Sequence, residues 1–284
     1  MSGMVVRRSL IMRKLGPVVL AGVMVLGAAT SQARGGLGSR AIDPAQVVPM
    51  QRIIPERREV VAEVIREHTF HRQGEPDMFP CPSSLYLSLV GEPAATVALW
   101  KDLSDSPVQL QKVAPNRYEG TDGSGSSAVW EFVLRSPQLH VLLAFFNYVS
   151  PHGNARIDAR IVLIVQTTYH RDGNREPWVQ HTVEAFVKVD TKGWKALART
   201  VRPMLERILE DQVREAGHFV SLMSRLVIAY PNWASQVVAS QATLDATTRQ
   251  RFCDVVARTR RPGASTGRPV VMKDPPGAPQ TRQR

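Results

Sequence analysis

Seven histidines are the residues of this sequence with the widest chemical range, because imidazole serves as a metal ligand and as a general acid or base. Only His68 and His71 lie close together, and a separation of three places two side chains on opposite faces of a strand. A zinc site needs three or four converging ligands, usually with two of them close in sequence. Although Glu67 and Glu75 flank the pair, the spacing predicts no metal site.

The glycine-rich segment 123–128 (GSGSSA) has the glycine spacing of a dinucleotide-binding loop. Such a loop needs a helix directly after it, so that the pyrophosphate meets the helix N-terminus. Here the following residues have the pattern of a strand, which favours a hairpin turn. The serines also lack the G-x-S-x-G spacing of a nucleophile elbow. We therefore expect no cofactor and no nucleophilic serine.

Five residues on predicted strands are candidates for binding a ligand in a cavity. An apolar molecule could contact Trp130, Phe145 or Phe186. His140 and Glu184 could supply a hydrogen bond or a proton. Packing in the core explains the aromatic residues equally well, and outward-facing positions explain the polar pair. Because no converging set emerges, we assign no catalytic residue, and an enzyme is the least supported class.

Cys81 and Cys253 are the only cysteines. A disulfide between them would close a loop of about 170 residues and contribute up to about 5 kcal/mol. Two free thiols are an equal alternative, and the sequence leaves the choice open.

The net charge of +11 suggests an anionic partner until it is divided by region. Residues 1–33 have the pattern of a signal peptide: four basic residues and no acid within 1–14, an apolar run over 15–29, and Ser31-Gln32-Ala33 as a cleavage site. The apolar run is shorter than the roughly 20 residues of a spanning helix, so we expect no transmembrane segment after cleavage. The twin arginine Arg7-Arg8 leaves Sec and Tat export both open.

The other concentration of charge is the segment 256–284, where six arginines and one lysine face one aspartate. Because Pro, Gly and Thr dominate the rest, we expect a disordered basic tail, either a solvated terminus or a segment that docks to an anionic partner. The remaining residues, 34–255, carry a net charge of only +1. Nucleic-acid binding is therefore not predicted for the folded body.

The order of the elements between these ends predicts an α+β fold. A loose lead-in over 34–55 precedes a single domain over 56–255 with flanking helices. Hydrophobic periodicity predicts a helix over 56–67, an edge strand over 68–72, and short helices over 85–90 and 93–103. Six strands joined by short turns follow, and then helices over 192–228 and 242–257. We predict the strands over 108–113, 117–121, 128–135, 139–149, 155–170 and 178–190.

This order resembles the START-like, polyketide-cyclase-like helix-grip superfamily over residues 68–228, with Gly193-Trp194 at the start of the last helix. The resemblance implies an antiparallel curved sheet of six to seven strands packed on a long C-terminal helix, with two short helices between the first and second strands. It also implies an apolar cavity between sheet and helix for a lipid-like or aromatic ligand. No motif of a particular member is present, so no site residue is carried over.

Together these features predict a protein exported across the inner membrane, to the periplasm or the extracellular space, that binds a small apolar or lipid-like ligand. The alternative is an envelope scaffold that docks to an anionic surface through its basic tail.

Overall fold

The computed structural model describes residues 6–7, 42–104, 106–149, 156–190, 213–214, 218–260, 265, 267–269 and 271–272. An eight-stranded antiparallel sheet forms its centre, with the strand order β2-β9-β8-β7-β6-β5-β4 and β3 also paired to β9. Strands β1 (Val6–Arg7) and β10 (Val271–Met272) pair separately, in parallel. The strands of the large sheet are β2 (Phe70–Gln73), β3 (Asp77–Pro80), β4 (Gln109–Ala114), β5 (Arg117–Thr121), β6 (Ser126–Arg135), β7 (Leu139–Val149), β8 (Arg156–Arg171) and β9 (Pro177–Val189).

Helices lie before, within and after the strand sequence. Two single 3-10 turns, Met50–Arg52 and Pro55–Arg57, separate the first two helices. The helices are α1 (Pro44–Val47), α2 (Arg58–Arg66), α3 (Ser83–Gly91), α4 (Pro93–Leu103), α5 (218–229), α6 (Pro231–Ala239) and α7 (Ala246–Thr259). Within the described residues, no helix combines the length and apolar character needed to cross a membrane.

The predicted fold class is confirmed, because consecutive strands β4 to β9 pair antiparallel along the chain. The turn between β8 and β9 shows how the sequence sets the register. Asp172 accepts hydrogen bonds at Oδ1 from the backbone N–H groups of Asn174 (2.9 Å) and Glu176 (2.8 Å). This closes the hairpin with Arg171 opposite Pro177 and aligns thirteen residue pairs.

Both faces of the sheet are covered. On the face that we call inner, Trp130, Ala144 and Ile161 pack against helices α3 to α7. On the opposite, outer face, α1, α2 and the turns between them cover part of the sheet. The outer core consists of Val48, Ile53, Val61, Val64, Ile65, Val133, Leu134, Val141, Leu143, Val162, Ile164 and Phe186.

Ion pairs fasten α2 to the outer face. The guanidinium of Arg160 on β8 makes two hydrogen bonds to the Glu63 carboxylate, at 2.6 and 3.0 Å. Arg160 also binds Asp190 at 2.8 Å, and Lys188 on β9 bonds to both Glu63 and Glu67. These contacts hold the pKa of Glu63 near 2, chiefly through the hydrogen bonds from Arg160 and Lys188.

Three predictions about element boundaries need correction. The two short helices lie between β3 and β4, because a second short strand that was not predicted, β3, follows β2 and also pairs with β9. The expected loose lead-in contains α1 and two turns from residue 44 onward, and Val48 and Ile53 in it are 1 % exposed. The expected tail begins inside α7, which continues to Thr259.

Other predictions fall partly or wholly outside the described residues. Most of the predicted helix over 192–228 lies there, with residues 213–214 and 218–229 described as helical. Residues 1–5 and 8–41, which include most of the expected signal peptide, and residues 273–284 of the expected tail also lie outside. Where the tail is described, Arg268 contacts the body of the protein, with Nε 3.0 Å from Oδ2 of Asp102.

Candidate functional site

A space of about 670 Å³ lies where α4 meets strands β4 to β7. This volume includes space on both faces of the sheet, so the part on the inner face is smaller. On the inner side its walls come from α4, from the strands and from the segment before α7. These inner residues are Ala94, Val97, Ala98, Lys101, Leu110, Gly120, Ala128, Gln241 and Thr243.

Small residues create the inner part of this space. Leu110, Gly120 and Ala128 are directly opposite one another on β4, β5 and β6. In the next inner row along the same strands, Tyr118 lies opposite Trp130. The side chains therefore change from two large rings in that row to the hydrogen atom of Gly120 and the methyl group of Ala128. Helix α4 faces this row with alanines and a valine in place of larger side chains. The space follows from this change of side-chain volume along β5 and β6.

The inner part is apolar on its walls and polar at one side. Ala94, Ala98 and Ala128 are 5, 8 and 5 % exposed, so their methyl groups belong to the buried core. Lys101, by contrast, is exposed in the last turn of α4. No acidic side chain among the described residues forms an ion pair with Lys101. An apolar body with a polar or anionic end would therefore match this arrangement.

The rest of the space opens onto the outer face. Its outer lining comprises Gln109, Gln111, Glu119, Thr121, Ser127, Val129, Phe145 and Asn147. Gln109, Gln111, Ser127 and Phe145 are exposed to solvent. The volume of 670 Å³ is thus divided between two faces of the sheet.

A second, much smaller cavity of about 60 Å³ lies between the inner face and helices α3 to α5. Its lining is apolar except for His181 and includes Trp130, Leu142 and Val220. An engineered cavity that admits benzene measures about 150 Å³, so this one is too small for an aromatic or lipid-like molecule. Among the described residues, the side chains of the inner face and of α3 to α5 leave no larger space at this point.

A buried polar cluster borders the small cavity. The hydroxyl of Tyr86 lies 2.9 Å from Oγ1 of Thr167 and 3.1 Å from Nδ1 of His181. All three residues are buried, and burial raises the pKa of Tyr86 well above its usual range. The partners satisfy one another in an apolar surrounding, which is the arrangement of a structural network.

The five candidate ligand residues do not line one cavity. Trp130 borders the small cavity, and Phe145, 40 % exposed, lies on the outer face. Phe186 belongs to the outer core, stacked on His71 with ring centroids 4.3 Å apart. Glu184 is also on the outer side, and its carboxylate lies 2.7 Å from Nε2 of His71.

His140 is buried on the inner face without lining either cavity. Its ring makes an edge contact with Phe132 at 6.0 Å between centroids, and its Nδ1 has no hydrogen-bond partner among the described residues. Burial lowers the pKa of His140 to about 4, with a further contribution from the charge of Arg135. This histidine is therefore neutral at physiological pH.

The expected separation of His68 and His71 is wrong. Their ring centroids lie 5.7 Å apart, because His68 precedes β2 and does not follow the alternation of a strand. His68 instead contacts the carbonyl oxygen of Ile65 through Nδ1 at 2.8 Å. Among the described residues, no group of three or more His, Cys, Asp or Glu side chains is arranged to hold a metal ion.

The two cysteines are free thiols in this structure. Sγ of Cys81 donates to the carbonyl oxygen of Pro82 at 3.3 Å. Sγ of Cys253 donates to the carbonyl oxygen of Ser235 at 3.7 Å. Burial raises the pKa of Cys81 to about 11. The disulfide that the sequence left open is not formed.

Sequence reasoning missed the residues that create the larger space, Ala94, Ala98, Gly120 and Ala128. Small residues carry no chemistry of their own, so a search for reactive side chains passes over them. The sequence signal for these residues is their spacing. Gly120 lies two positions from Tyr118 on β5, and Ala128 lies two positions from Trp130 on β6, so each pair shares one face of its strand.

Comparisons with known proteins yield matches among solved structures only, since no family model and no curated protein matches the chain. A conserved protein from Geobacillus kaustophilus aligns with a TM-score of 0.36 and 13 % identity, over 54 % of this chain and 96 % of that one. A hypothetical protein from Helicobacter pylori aligns with a TM-score of 0.36 and 11 % identity, over 70 % of this chain and 100 % of that one. A START superfamily protein from Mycobacterium smegmatis aligns with a TM-score of 0.31 and 10 % identity, over 55 % of this chain and 97 % of that one.

Similarities of this degree assign no function. The fold itself is evident in the chain's own elements: β3, two short helices, an antiparallel meander from β4 to β9, and helical residues after it. This order confirms the START-like helix-grip architecture expected from the sequence.

Proposed function

We propose that the protein binds a small molecule with an apolar body and a polar or anionic end, in the space between α4 and the inner face of β4 to β6. The observation that carries this proposal is a set of small residues, Ala98 on α4 with Gly120 and Ala128 on the sheet, which leaves room beside the core that the described residues form. A protein with no need for this room would gain free energy by filling it.

The chemistry of the walls supports the choice of ligand. Ala94, Val97 and Leu110 offer apolar contact, which favours a hydrocarbon body over a sugar or nucleotide. Lys101, Gln241 and Thr243 lie at the polar side and match a carboxylate or another oxygen-rich end. The expected lipid-like ligand is thus retained at a site beside α4, while the cavity expected against the predicted helix over 192–228 lies mostly outside the described residues.

Native mass spectrometry of the purified full chain, followed by organic extraction, tests the proposal. We expect a mass adduct that is removed by extraction and is an amphiphile. Ala98→Leu should abolish the adduct by filling the space, whereas Ala257→Leu, at an exposed position of α7, should retain it. A second variant, Lys101→Ala, should weaken binding without filling the space. An adduct unaffected by Ala98→Leu and Lys101→Ala, in variants with native circular dichroism, would contradict the proposal.

We also propose that residues 1–33 direct export. The basic residues before position 15, the apolar run after it and the small residues around Ala33 support this proposal. Expression of the full chain in a bacterial host should give a periplasmic or secreted product. Its intact mass should be that of a chain that begins at Arg34. Replacement of Arg7 and Arg8 by lysine separates the routes, since only Tat export should stop. A full-length product that stays in the cytoplasm would overturn the proposal.

A further inference from the structure

The part of the outer face that α1 and α2 leave uncovered carries two straight rows of side chains. The first row runs through Gln109, Thr121, Ser127 and Asn147, and the second through Gln111, Glu119, Val129 and Phe145, each on β4, β5, β6 and β7 in turn. We call these eight residues the outer platform. They all border the open side of the larger space.

Charged contacts mark the limits of the platform. The second row continues beyond Phe145 to Arg160 and Lys188, which are occupied by the carboxylate of Glu63 on α2. On the side of the outer core, Arg57 binds Glu131 at 2.8 Å and lies 6.0 Å from the centre of the Phe145 ring. The platform is therefore a bounded area and not a random stretch of surface.

Its side chains offer both donors and acceptors with little net charge. Glutamine and asparagine amides donate and accept, as do the hydroxyls of serine and threonine. Among the described residues, none forms a hydrogen bond to the side chains of Gln109, Gln111, Glu119 or Ser127. Asn147 and Thr121 are partly engaged, with Asp158 and the Ser126 carbonyl oxygen respectively. The platform thus has free polar groups in a fixed, strand-based arrangement.

One aromatic ring stands among these polar groups. Phe145 is 40 % exposed, although phenylalanine is normally buried. The face of an aromatic ring is electron-rich and attracts the polarised C–H groups of a sugar ring. Val129, directly opposite Phe145 on β6, extends the apolar spot by one side chain.

This chemistry excludes other classes of partner. The platform itself has no lysine or arginine, whereas binding to nucleic acid or an anionic membrane depends on several cations. Two apolar residues also make a smaller apolar patch than the core of a typical protein–protein interface. Four strands at about 4.8 Å spacing give a platform about 14 Å long, enough for a short chain of sugar rings.

We propose that the outer platform binds a neutral glycan, whose rings lie along the two rows with one ring stacked on Phe145. The amides of Gln109 and Gln111 and the hydroxyl of Ser127 hydrogen-bond the sugar hydroxyls. The site is on the opposite face from the proposed amphiphile site and does not depend on it.

Isothermal titration of the full chain with glucose and N-acetylglucosamine tetrasaccharides, together with sedimentation on insoluble chitin, tests this proposal. We expect saturable binding to at least one of the three. Phe145→Ala and Gln111→Ala should each weaken it at least tenfold. Val149→Ala is the matched control, because Val149 is exposed on the same strand and face as Phe145 but lies beyond the two rows and does not line the larger space.

Binding to none of the three glycans would overturn the proposal, as would equal binding by wild type and Phe145→Ala. Binding to phospholipid vesicles that depends on Phe145 would also overturn it, in favour of a membrane. Phe145→Ala should retain the extractable amphiphile, so failure of the glycan site and failure of the amphiphile site are distinguishable.

Discussion

His140 shows how burial changes the protonation of a residue type that often acts as a general acid or base. It is 3 % exposed, contacts Phe132 and has a pKa of about 4, so it is neutral where its usual pKa of 6.5 would leave part of it charged. The unfolded chain binds a proton below pH 6.5, whereas the folded chain does so only below about pH 4. Stability therefore falls as the pH drops through this interval.

This difference predicts the pH dependence of unfolding. Between pH 7 and pH 5, His140 should lower the free energy of unfolding by about 2 kcal/mol. Urea titrations at the two pH values should show that His140→Leu removes most of this loss. His170→Leu is the control, because His170 is exposed. A loss of the same size in His140→Leu and wild type would contradict the assignment.

Gly125 is a second residue whose role is set by backbone geometry. Its φ is +108°, and a Cβ atom there would lie 2.2 Å from the carbonyl oxygen of Val149. The glycine-rich segment is therefore the hairpin turn that the sequence predicts, with Asp122 accepting from the backbone N–H of Ser124 and Ser126.

We expect Gly125→Ala to destabilise the protein by about 2 kcal/mol or more, since both the backbone conformation and the close approach oppose a side chain. Gly173→Ala provides the comparison, because nothing lies within 4 Å of its Cβ position. Thermal unfolding should show a clear drop in Tm for the first variant and a small change for the second. Equal shifts would show that the turn tolerates a side chain.

Among the helices, α2 covers part of the outer face of the sheet, which is the face opposite to helices α3 to α7. Its apolar side, with Val61, Val64 and Ile65, is buried against the outer face, and Glu63 anchors it to Arg160 and Lys188. Because Glu63 keeps its charge down to about pH 2, this anchor should persist at mildly acidic pH. Its contribution is present above the ordinary pKa of glutamate, 4.5, and is lost as the pH falls from 4.5 towards 2.

Glu63→Gln should therefore destabilise the protein at pH 7 by about 1 kcal/mol, a modest value because the carboxylate is partly exposed. The same substitution should cost much less at pH 2.5. Glu59→Gln is the matched control on the same helix, since its pair with Arg66 is largely exposed. Chemical denaturation at both pH values measures the difference. A pH-independent effect of Glu63→Gln would refute the role of the ion pair.

Sequence patterns predicted the elements best where periodicity is long and the turns are explicit. Strands β7, β8 and β9 were expected within one residue of their observed limits at each end, because alternation over many residues and the Asp172-Gly173-Asn174 turn determine them. The helix α6 was not predicted, although Pro231 at its first position is a typical start signal.

At the scale of the whole molecule, the site was harder to predict than the fold. Which face of the sheet a side chain occupies depends on strand register, so Trp130 and Phe186 could not be assigned to opposite faces from the sequence. The space beside α4 depends on side-chain volumes that meet across strands, such as Gly120 opposite Ala128. The small residues are visible in the sequence two positions from Tyr118 and Trp130, but their position opposite each other depends on the strand register.

Alanine methyl groups line the space between α4 and the inner face of β4 to β6, where we propose that an amphiphile binds. Nuclear magnetic resonance of the full chain, labelled with ¹³C at alanine methyl groups and titrated with decanoate, reports binding at these groups. We predict saturable shifts of the methyl signals of Ala94, Ala98 and Ala128, while those of Ala144 and Ala159, packed elsewhere on the inner face, stay in place. Unchanged signals of Ala94, Ala98 and Ala128 at saturating decanoate would contradict the claim.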